Sequence, residues 1–203
     1  MIAIVDYGVG NLFSLQSSFA AIGSSGAVVA RTADALEKAD KIVLPGVGAF
    51  GDASAKLRGS GMLETLLEQV NRGNPLLGIC LGMQLLFDRS FEYGEHEGLG
   101  LIPGEVRPLS ETVPTGLKIP HMGWNALRFT KQSSLFRYIE DGDFVYFVHS
   151  YHGALCGDHT IALTDYGAPV TAAVQKDNVF GCQFHPEKSG NTGLKILKAF
   201  AEM

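Results

Sequence analysis

Cysteine is scarce in this sequence, and its three residues do not form a pattern typical of disulfide bonds or metal binding. Cys80, Cys156 and Cys182 are an odd number, and their spacing is not that of metal ligands. This excludes a disulfide-stapled domain and a cysteine-based zinc site. We expect no metal and no cofactor, and we expect Cys156 and Cys182 to be inert thiols.

Positive charge and long apolar runs are also missing. The formal net charge is -5, so the chain has no basic footprint for nucleic acid. No run of about 18 apolar residues predicts a membrane span, and residues 1–6 lack the basic start and cleavage site of a signal peptide. We therefore expect a cytoplasmic protein that binds neither nucleic acid nor a membrane.

The residues that are present are typical of a globular protein with a large core. Hydrophobic residues make up 46% and charged residues 18% of the 203 positions, which argues against disorder. We expect one domain over residues 1–203. We see no internal repeat.

Strand and helix patterns alternate through the first half of the chain, which predicts an α/β fold. We expect a mostly parallel or mixed central sheet with flanking helices. Residues 90–123 are rich in glycine, proline and charge, which predicts long loops with short strands and no second domain. Later apolar segments predict an antiparallel extension. The predicted strands are 2–6, 27–30, 41–44, 126–129, 143–148, 160–163, 170–174 and the apolar runs before Cys80 and His185; the predicted helices are 12–22, 32–36, 62–70, 81–87 and 191–200.

Two glycines follow the first predicted strand. Gly8-x-Gly10 resembles part of a phosphate loop, but the third glycine of a nucleotide fingerprint is missing. A tight turn between strand and helix is the better interpretation, with Asn11 as the helix N-cap.

Cys80 lies between two glycines where a buried strand meets a helix. Gly78-x-Cys80-x-Gly82 matches the elbow that presents a nucleophile on a strained turn, which needs small neighbours. The helix N-terminus favours the thiolate, and the N-H of Leu81 points at charge that develops on an attacked carbonyl oxygen. The alternative is that Cys80 is a small buried hydrophobe, and the glycines alone do not decide between the two.

A glycine-rich loop follows the third strand. Gly46, Val47 and Gly48 leave backbone N-H groups free at the carboxyl end of that strand, where α/β sheets place ligands. This loop is the natural source of a second oxyanion donor. An ordinary turn is the alternative.

His185 and Glu187 end the last predicted strand. Residues i and i+2 of an extended chain face the same side, so the carboxylate can orient the imidazole as a base for a thiol. On its own, such a pair is more often a solvated surface pair. The other histidines have no carboxylate at i+2. His149, at a strand end, is a candidate substrate ligand. His96 and His159 are expected in polar loops, and His121 and His152 beside glycine turns.

Six motifs together resemble the class I glutamine amidotransferases, and among them the glutaminase subunits of imidazole glycerol phosphate synthases. The class I family is indicated by the motifs at 78–84, 45–48 and 184–187. The motifs at 6–11, 121–125 and 146–151 narrow the resemblance to the synthase glutaminase subunits. The resemblance implies an amidotransferase-like α/β fold and a Cys80-His185-Glu187 triad that hydrolyses L-glutamine through a thioester. It implies backbone oxyanion donors at Val47 and Leu81, and substrate binding by Gly46, Gln84, His149 and Ser150.

The same resemblance implies a partner and a pathway. It places Asn11, Trp124 and Lys188 against a (β/α)8 cyclase subunit, in a heterodimer that uses the ammonia in histidine biosynthesis. From the residues alone, Trp124 could equally be a core tryptophan and Lys188 could be merely solvated. Glutaminases of other amidotransferase systems and a catalytically silent regulatory subunit are the alternatives. The two glycines of the loop 46–48 predict a flexible backbone, so its oxyanion donor could be set in place only when the partner binds. We therefore expect slow glutamine hydrolysis without the partner.

Overall fold

Short strands form the framework of the computed structural model, which describes residues 1–24 and 26–203. Their burial follows from the apolar, β-branched segments that the sequence shows. The strands are β1 Ile2–Val5, β2 Ala27–Ala30, β3 Lys41–Leu44, β4 Leu76–Ile79, β5 Arg89–Ser90, β6 His96–Glu97, β7 Glu105–Pro108, β8 His121–Ala126, β9 Arg128–Phe129, β10 Phe144–His149, β11 Tyr151–Ala154, β12 Thr160–Asp165, β13 Pro169–Lys176 and β14 Val179–Cys182.

The helices lie mainly between the parallel strands and after the last strand. Asn11 caps the first helix through its side-chain oxygen, and Thr32 caps the second in the same way. The α-helices are α1 Leu12–Ala21, α2 Ala33–Glu37, α3 Phe50–Gly59, α4 Leu63–Asn71, α5 Leu81–Leu85 and α6 Gly190–Ala201. A 3-10 turn, Pro186–Lys188, separates β14 from α6.

The main sheet is mixed, with the order β2-β1-β3-β4-β14-β13-β12-β9. Strands β2, β1, β3, β4 and β14 run parallel, and the pairs from β14 through β13 and β12 to β9 are antiparallel. This is the central sheet with an antiparallel extension that the sequence predicts.

Both faces of the sheet are buried. In β1, Ala3 and Val5 join the core on one face, while Ile2 and Ile4 join the core on the other, as the two-residue period of a strand requires. The first core is covered by α2 to α5 and the second by α1 and α6, whose buried residues belong to those two clusters. Helices on both faces are what parallel strands need.

Two smaller sheets stand beside the main sheet. β8 pairs with β10 in one, and the other has the order β11-β7-β5-β6. The chain passes directly from β10 through Ser150 into β11. This connection carries His149, Ser150 and Tyr151 to the carboxyl end of the parallel strands, where ligands bind in open α/β sheets.

Several local predictions were wrong. The last strand ends at Cys182, so His185 lies beyond it, and Glu187 lies in the 3-10 turn Pro186–Lys188 and not at the end of a strand. Residues 121–126 form strand β8, so Trp124 lies in a strand and not in a glycine turn, and His121 and His152 lie in β8 and β11. Helix α3 was not predicted, because its buried face consists largely of small residues, with Ala53 and Ser54 between Phe50 and Leu57. His96 lies in the short strand β6, half-buried, and is not a free loop residue.

Candidate active site

The turn between β4 and α5 gives Cys80 an unusual backbone. Its φ is 54° and its ψ is -110°, and its N-H donates to the carbonyl of Cys182 at 2.8 Å. A positive φ is uncommon for a residue with a side chain and recurs at functional sites. Strand β14 therefore holds the backbone of Cys80 from the side.

The two flanking glycines are required by close backbone contacts. A Cβ on Gly78 would lie 2.7 Å from the carbonyl oxygen of Gly82, and a Cβ on Gly82 would lie 1.8 Å from that of Leu44. Any side chain at these positions would force β3, β4 and α5 apart. The elbow thus needs both glycines, as the motif predicts.

His185 and Glu187 form the ion pair that the sequence predicts. Nδ1 of His185 donates to Oε1 of Glu187 at 2.9 Å, and both side chains are almost fully buried. Burial alone would lower the pKa of His185, but hydrogen bonds to Cys80 and Glu187 and their negative charges raise it to about 9. At neutral pH the imidazole of His185 is therefore protonated.

The backbone around His185 is fixed from two directions. Its N-H donates to the carbonyl of Tyr146 at 2.9 Å. The buried hydroxyl of Ser189 donates to the carbonyl of His185 at 2.6 Å and accepts the N-H of Tyr146 at 2.9 Å. Strand β10 and Ser189, just before α6, thus position His185 together, and sequence reasoning missed this role of Ser189.

The loop after β3 approaches the elbow closely. A Cβ on Gly46 would lie 2.8 Å from the backbone nitrogen of Gly82 and 2.9 Å from Cβ of Leu81. The buried hydroxyl of Tyr7 donates to the carbonyl of Pro45 at 2.7 Å and anchors the start of this loop. The N-H of Leu81, in the first turn of α5, has no preceding helical turn to bond to. The structure thus brings the loop that carries Val47 against the elbow that carries Leu81, and both residues line the same cavity.

A cavity of about 360 Å³ opens over Cys80. A cavity of this volume can hold a small molecule. Most of the residues predicted for catalysis and substrate binding line it, while Glu187 lies behind His185 and Gly46 behind Val47. The lining residues are Val47, Gly48, Cys80, Leu81, Gln84, Glu92, Pro120, Val148, His149, Ser150, Tyr151, His185 and Lys188.

Gln84 has a fixed amide orientation in this cavity. Its Nε2 donates to the carbonyl of Tyr151 and to Oε1 of Gln183, each at 3.0 Å. A carbonyl oxygen can only accept, so the amino group of Gln84 must face Tyr151. Its Oε1 is left as an acceptor for a donor group in the cavity.

Both ring nitrogens of His149 are engaged. Nδ1 donates to the carbonyl of Tyr151 at 2.8 Å, and Nε2 lies 3.0 Å from Nδ1 of the buried His121. Burial lowers the pKa of His149 to about 3, so the ring is neutral. His149 therefore lines the cavity with an imidazole ring whose orientation is fixed by these two contacts. It offers no free ring nitrogen.

The comparisons with known proteins agree on one family. The family model described as "Glutamine amidotransferase class-I" matches residues 3–203. The chain belongs to the class I glutamine amidotransferase family. It is 49% identical to imidazole glycerol phosphate synthase subunit HisH of Lactococcus lactis subsp. lactis over 99% of this chain and 98% of that protein. It is 52% identical to the HisH subunit of Sulfurimonas denitrificans over 100% of this chain and 98% of that protein.

Solved structures support the same fold. One crystal structure of a glutamine amidotransferase covers 100% of this chain, and this chain covers 98% of it, with a TM-score of 0.76 and 18% identity. At that identity the likeness shows the fold alone. The predicted family and the predicted α/β fold are confirmed, and within the class I amidotransferases this chain groups with the HisH subunits of imidazole glycerol phosphate synthase.

The amidotransferase cavity contains a carboxylate that sequence reasoning missed. Glu92 is buried, and its Oε2 accepts the N-H of Phe50, the first residue of α3, at 2.6 Å. Burial raises the pKa of Glu92. Residues 90–123 read as loops in the sequence, so no local pattern marks this residue.

The remaining cysteines of the amidotransferase are buried away from the cavity. Burial raises the pKa of Cys156, and burial together with the charge of Glu187 raises that of Cys182 well above the usual range. Both thiols therefore stay protonated at neutral pH, as expected of inert thiols. Within residues 1–24 and 26–203 no group of three or more His, Cys, Asp or Glu side chains could hold a metal ion.

Three predicted partner residues of the amidotransferase lie at the surface. Trp124 is 52% exposed, Lys188 is exposed at the cavity mouth, and Asn11 is half-buried at the start of α1. Trp124 lies near the turn that carries Lys188, since a Cβ on Gly190 would be 3.8 Å from its ring. Trp124 is therefore not a core tryptophan. In the described residues no helix is long and apolar enough to cross a membrane.

Proposed function

We propose that this chain is the glutaminase subunit of an imidazole glycerol phosphate synthase and that Cys80, His185 and Glu187 are its catalytic triad. The substrate is L-glutamine, and the products are glutamate and ammonia. The observation that carries the proposal is the cavity over Cys80, with the strained elbow on one side and the buried His185-Glu187 pair on the other. Membership of the amidotransferase family supports the choice of glutamine.

The first half of the reaction forms a thioester. The thiolate of Cys80 attacks the carboxamide carbon of glutamine, a C-S bond forms, and the carbonyl oxygen becomes an oxyanion. The N-H groups of Val47 and Leu81 receive that charge. When the C-N bond breaks, the protonated His185 gives its proton to the departing nitrogen, and ammonia leaves.

The second half regenerates the thiolate. Neutral His185 removes a proton from water, whose oxygen attacks the thioester carbon. The C-S bond then breaks, glutamate forms and the sulfur leaves as a thiolate beside the reprotonated imidazole. Glu187 keeps the ring oriented and stabilises its positive charge through the 2.9 Å contact.

The cavity offers a partner for each end of the substrate's amino-acid group. Oε1 of Gln84 and the carboxylate of Glu92 would accept the α-ammonium. Ser150 contributes a hydroxyl for the α-carboxylate, Gly46 allows the backbone of the loop to approach, and His149 forms the wall. A simple amide lacks the α-ammonium and the α-carboxylate, so it would leave these groups of the cavity without partners. The cavity would therefore select an amino acid over a simple amide.

The partner is a (β/α)8 cyclase subunit in a heterodimer. On the outer face of the β8-β10 pair, Met122 is 60% and Trp124 52% exposed. Such neighbouring apolar side chains mark a docking surface. The relatives are named as subunits of a synthase, which supports this use. Asn11 and Lys188 would complete the contact. Residues 1–203 would act as one cytoplasmic glutaminase domain, and the cyclase would bind the phosphorylated second substrate.

The test is glutamate release from glutamine by the purified chain, alone and with a cyclase subunit and its nucleotide ligand. We expect strong stimulation by the cyclase, and no glutamate from Cys80→Ala in any mixture. Equal turnover with and without the cyclase would move the chain to another amidotransferase system. Unchanged turnover in Cys80→Ala would refute the triad, and inactivity in every mixture would favour a silent regulatory subunit.

A further inference from the structure

We propose that Gln183 is a catalytic residue whose side-chain amide donates a hydrogen bond to the sulfur of Cys80 and stabilises its thiolate form. The proposal deepens the mechanism above and rests on Cys80 being the nucleophile. It gives the thiolate a neutral donor in addition to His185.

Gln183 is placed rigidly beside the sulfur. It follows β14 directly, its backbone N-H donates to the carbonyl of Ala172 at 2.8 Å, and its side chain has no solvent exposure. Nε2 of Gln183 lies 3.7 Å from Sγ of Cys80, within range for a hydrogen bond to sulfur. Gln183 and His185 both contact Cys80 from the short segment that follows β14.

The orientation of the Gln183 amide follows from its neighbours. The carbonyl of Tyr151 accepts from Nε2 of Gln84 at 3.0 Å, which fixes the Gln84 amide. The same Nε2 donates to Oε1 of Gln183 at 3.0 Å, so Oε1 of Gln183 faces Gln84. The NH₂ group of Gln183 must then face Cys80, and it can only donate.

A buried donor at this place acts on both halves of the reaction. The sulfur carries negative charge before it attacks and again when it leaves the thioester carbon. A hydrogen bond to a charged group is stronger than one to a neutral group, and it is stronger still away from water. The amide of Gln183 therefore favours the thiolate over both the thiol and the thioester. It needs no proton transfer of its own.

The alternative is that Gln183 only fills space and holds Gln84. Two variants separate these roles. Gln183→Leu keeps the volume and removes the donor, while Gln183→Glu keeps the shape and the acceptor for Gln84 but presents a carboxylate to the sulfur. Gln175→Leu is the matched control, because Gln175 is a half-buried glutamine whose amide donates to the carbonyl of Asp177 at 3.4 Å, outside the cavity over Cys80.

The experiment measures alkylation of Cys80 in the full chain by iodoacetamide, a neutral reagent, from about pH 5 to pH 10, because only the thiolate reacts. It needs neither glutamine nor a partner subunit. Mass spectrometry identifies the modified residue, and circular dichroism verifies the fold. We expect Gln183→Leu to react roughly 10-fold or more slowly than the parent chain at pH 7, as loss of a charge-assisted hydrogen bond predicts. We expect Gln183→Glu to be slower again, and all rates to converge at high pH.

The outcomes decide the proposal. Parent-like pH profiles in both variants would overturn it. A parent-like profile of Gln183→Glu together with slow alkylation of Gln183→Leu would also overturn it, since the shape of the side chain alone would then explain the reactivity of Cys80. If Gln183→Leu does not fold, the Gln183→Glu profile decides by itself. If the parent chain shows no glutaminase activity with any cyclase but the profiles follow the expected order, the proposed function fails and the donor role of Gln183 stands.

Discussion

The charge on His185 sets the chemistry at the scale of single residues. A histidine in water has a pKa near 6.5, whereas the contacts to Cys80 and Glu187 bring that of His185 to about 9. In the proposed mechanism, the proton that ammonia needs on departure is therefore present at neutral pH. It is lost only as the pH rises through the raised value.

This shift predicts the alkaline limb of the activity profile. Below about pH 9 the imidazolium of His185 can protonate the leaving nitrogen, and above it kcat/KM should fall about tenfold per pH unit. Glu187→Gln keeps a hydrogen-bond acceptor but removes one charge that raises the pKa, so its alkaline limb should begin at lower pH. The measurement is kcat/KM for glutamine across pH in the assembled synthase. Identical limbs in both proteins would show that Glu187 does not tune the base.

Glu92 provides a second test at a single position. Glu92→Gln keeps an acceptor for the N-H of Phe50, which lies 2.6 Å from Oε2, but it removes the charge opposite the substrate's ammonium. We expect KM for glutamine to rise roughly 10-fold or more with kcat little changed, since a lost charged contact costs about 1.5–3 kcal/mol. Steady-state kinetics of the variant give both constants.

The control for Glu92 is Glu95→Gln. Glu95 is an exposed carboxylate that pairs with Arg89 at 3.1 Å, outside the cavity, so its loss should leave KM unchanged. Burial raises the pKa of Glu92. The carboxylate is therefore lost earlier than usual as the pH falls, and KM of the parent chain should rise toward acidic pH, while Glu92→Gln should show a flatter dependence.

At the scale of elements, close backbone packing at the elbow is the strongest constraint. Gly82→Ala would place a Cβ 1.8 Å from the carbonyl oxygen of Leu44, so β3 and α5 must separate. We expect a loss of several kcal/mol of unfolding free energy and loss of glutaminase activity. Gly59→Ala, at the exposed end of α3 with nothing within 4 Å, is the matched control and should be neutral or stabilising. Denaturant unfolding compares the two, and equal stabilities would contradict the packing argument.

Elements with strong apolar periods could be predicted from the sequence. Strands β1 to β4, β14 and helices α1, α4 and α6 coincide with the predictions to within a few residues. Helix α3 could not, because Ala53 and Ser54 on its buried face give little apolar signal. Strand β8 contains Gly123 at a φ of 141°, which reads as a turn in the sequence although pairing with Phe147 of β10 keeps it in a strand.

The candidate site was predictable only where a local pattern marks it. Cys80 lies between glycines, and His185 and Glu187 stand two residues apart after an apolar run, so these residues could be named from spacing. In the structure both lie beyond β14, with Glu187 in the 3-10 turn. Glu92 and Gln183 could not, because their roles arise from contacts with Phe50 and Cys80, 42 and 103 residues away in sequence. Long-range contacts of this kind leave no local period.

At the scale of the whole molecule, the β8-β10 pair separates two environments. Its inner face carries His121, Phe147 and His149, which are buried, and its outer face carries the exposed Met122 and Trp124. The same strand β10 binds the N-H of His185 through the carbonyl of Tyr146. A partner that covers the outer face would therefore bind directly behind the strand that holds His185, the proposed base.

This arrangement predicts that a substitution on the outer face will weaken partner binding without lowering the stability of the chain. Trp124→Ala removes an anchor that is 52% exposed, so it should weaken binding of the cyclase subunit by roughly 10-fold or more, as aromatic hot spots do. Thermal unfolding of the isolated chain should change little, because an exposed side chain contributes little to the fold. Leu155→Ala is the control: Leu155 is 80% exposed after β11 and should leave both properties unchanged. Titration calorimetry with the cyclase measures affinity, and unchanged affinity in Trp124→Ala would place the partner on a different surface.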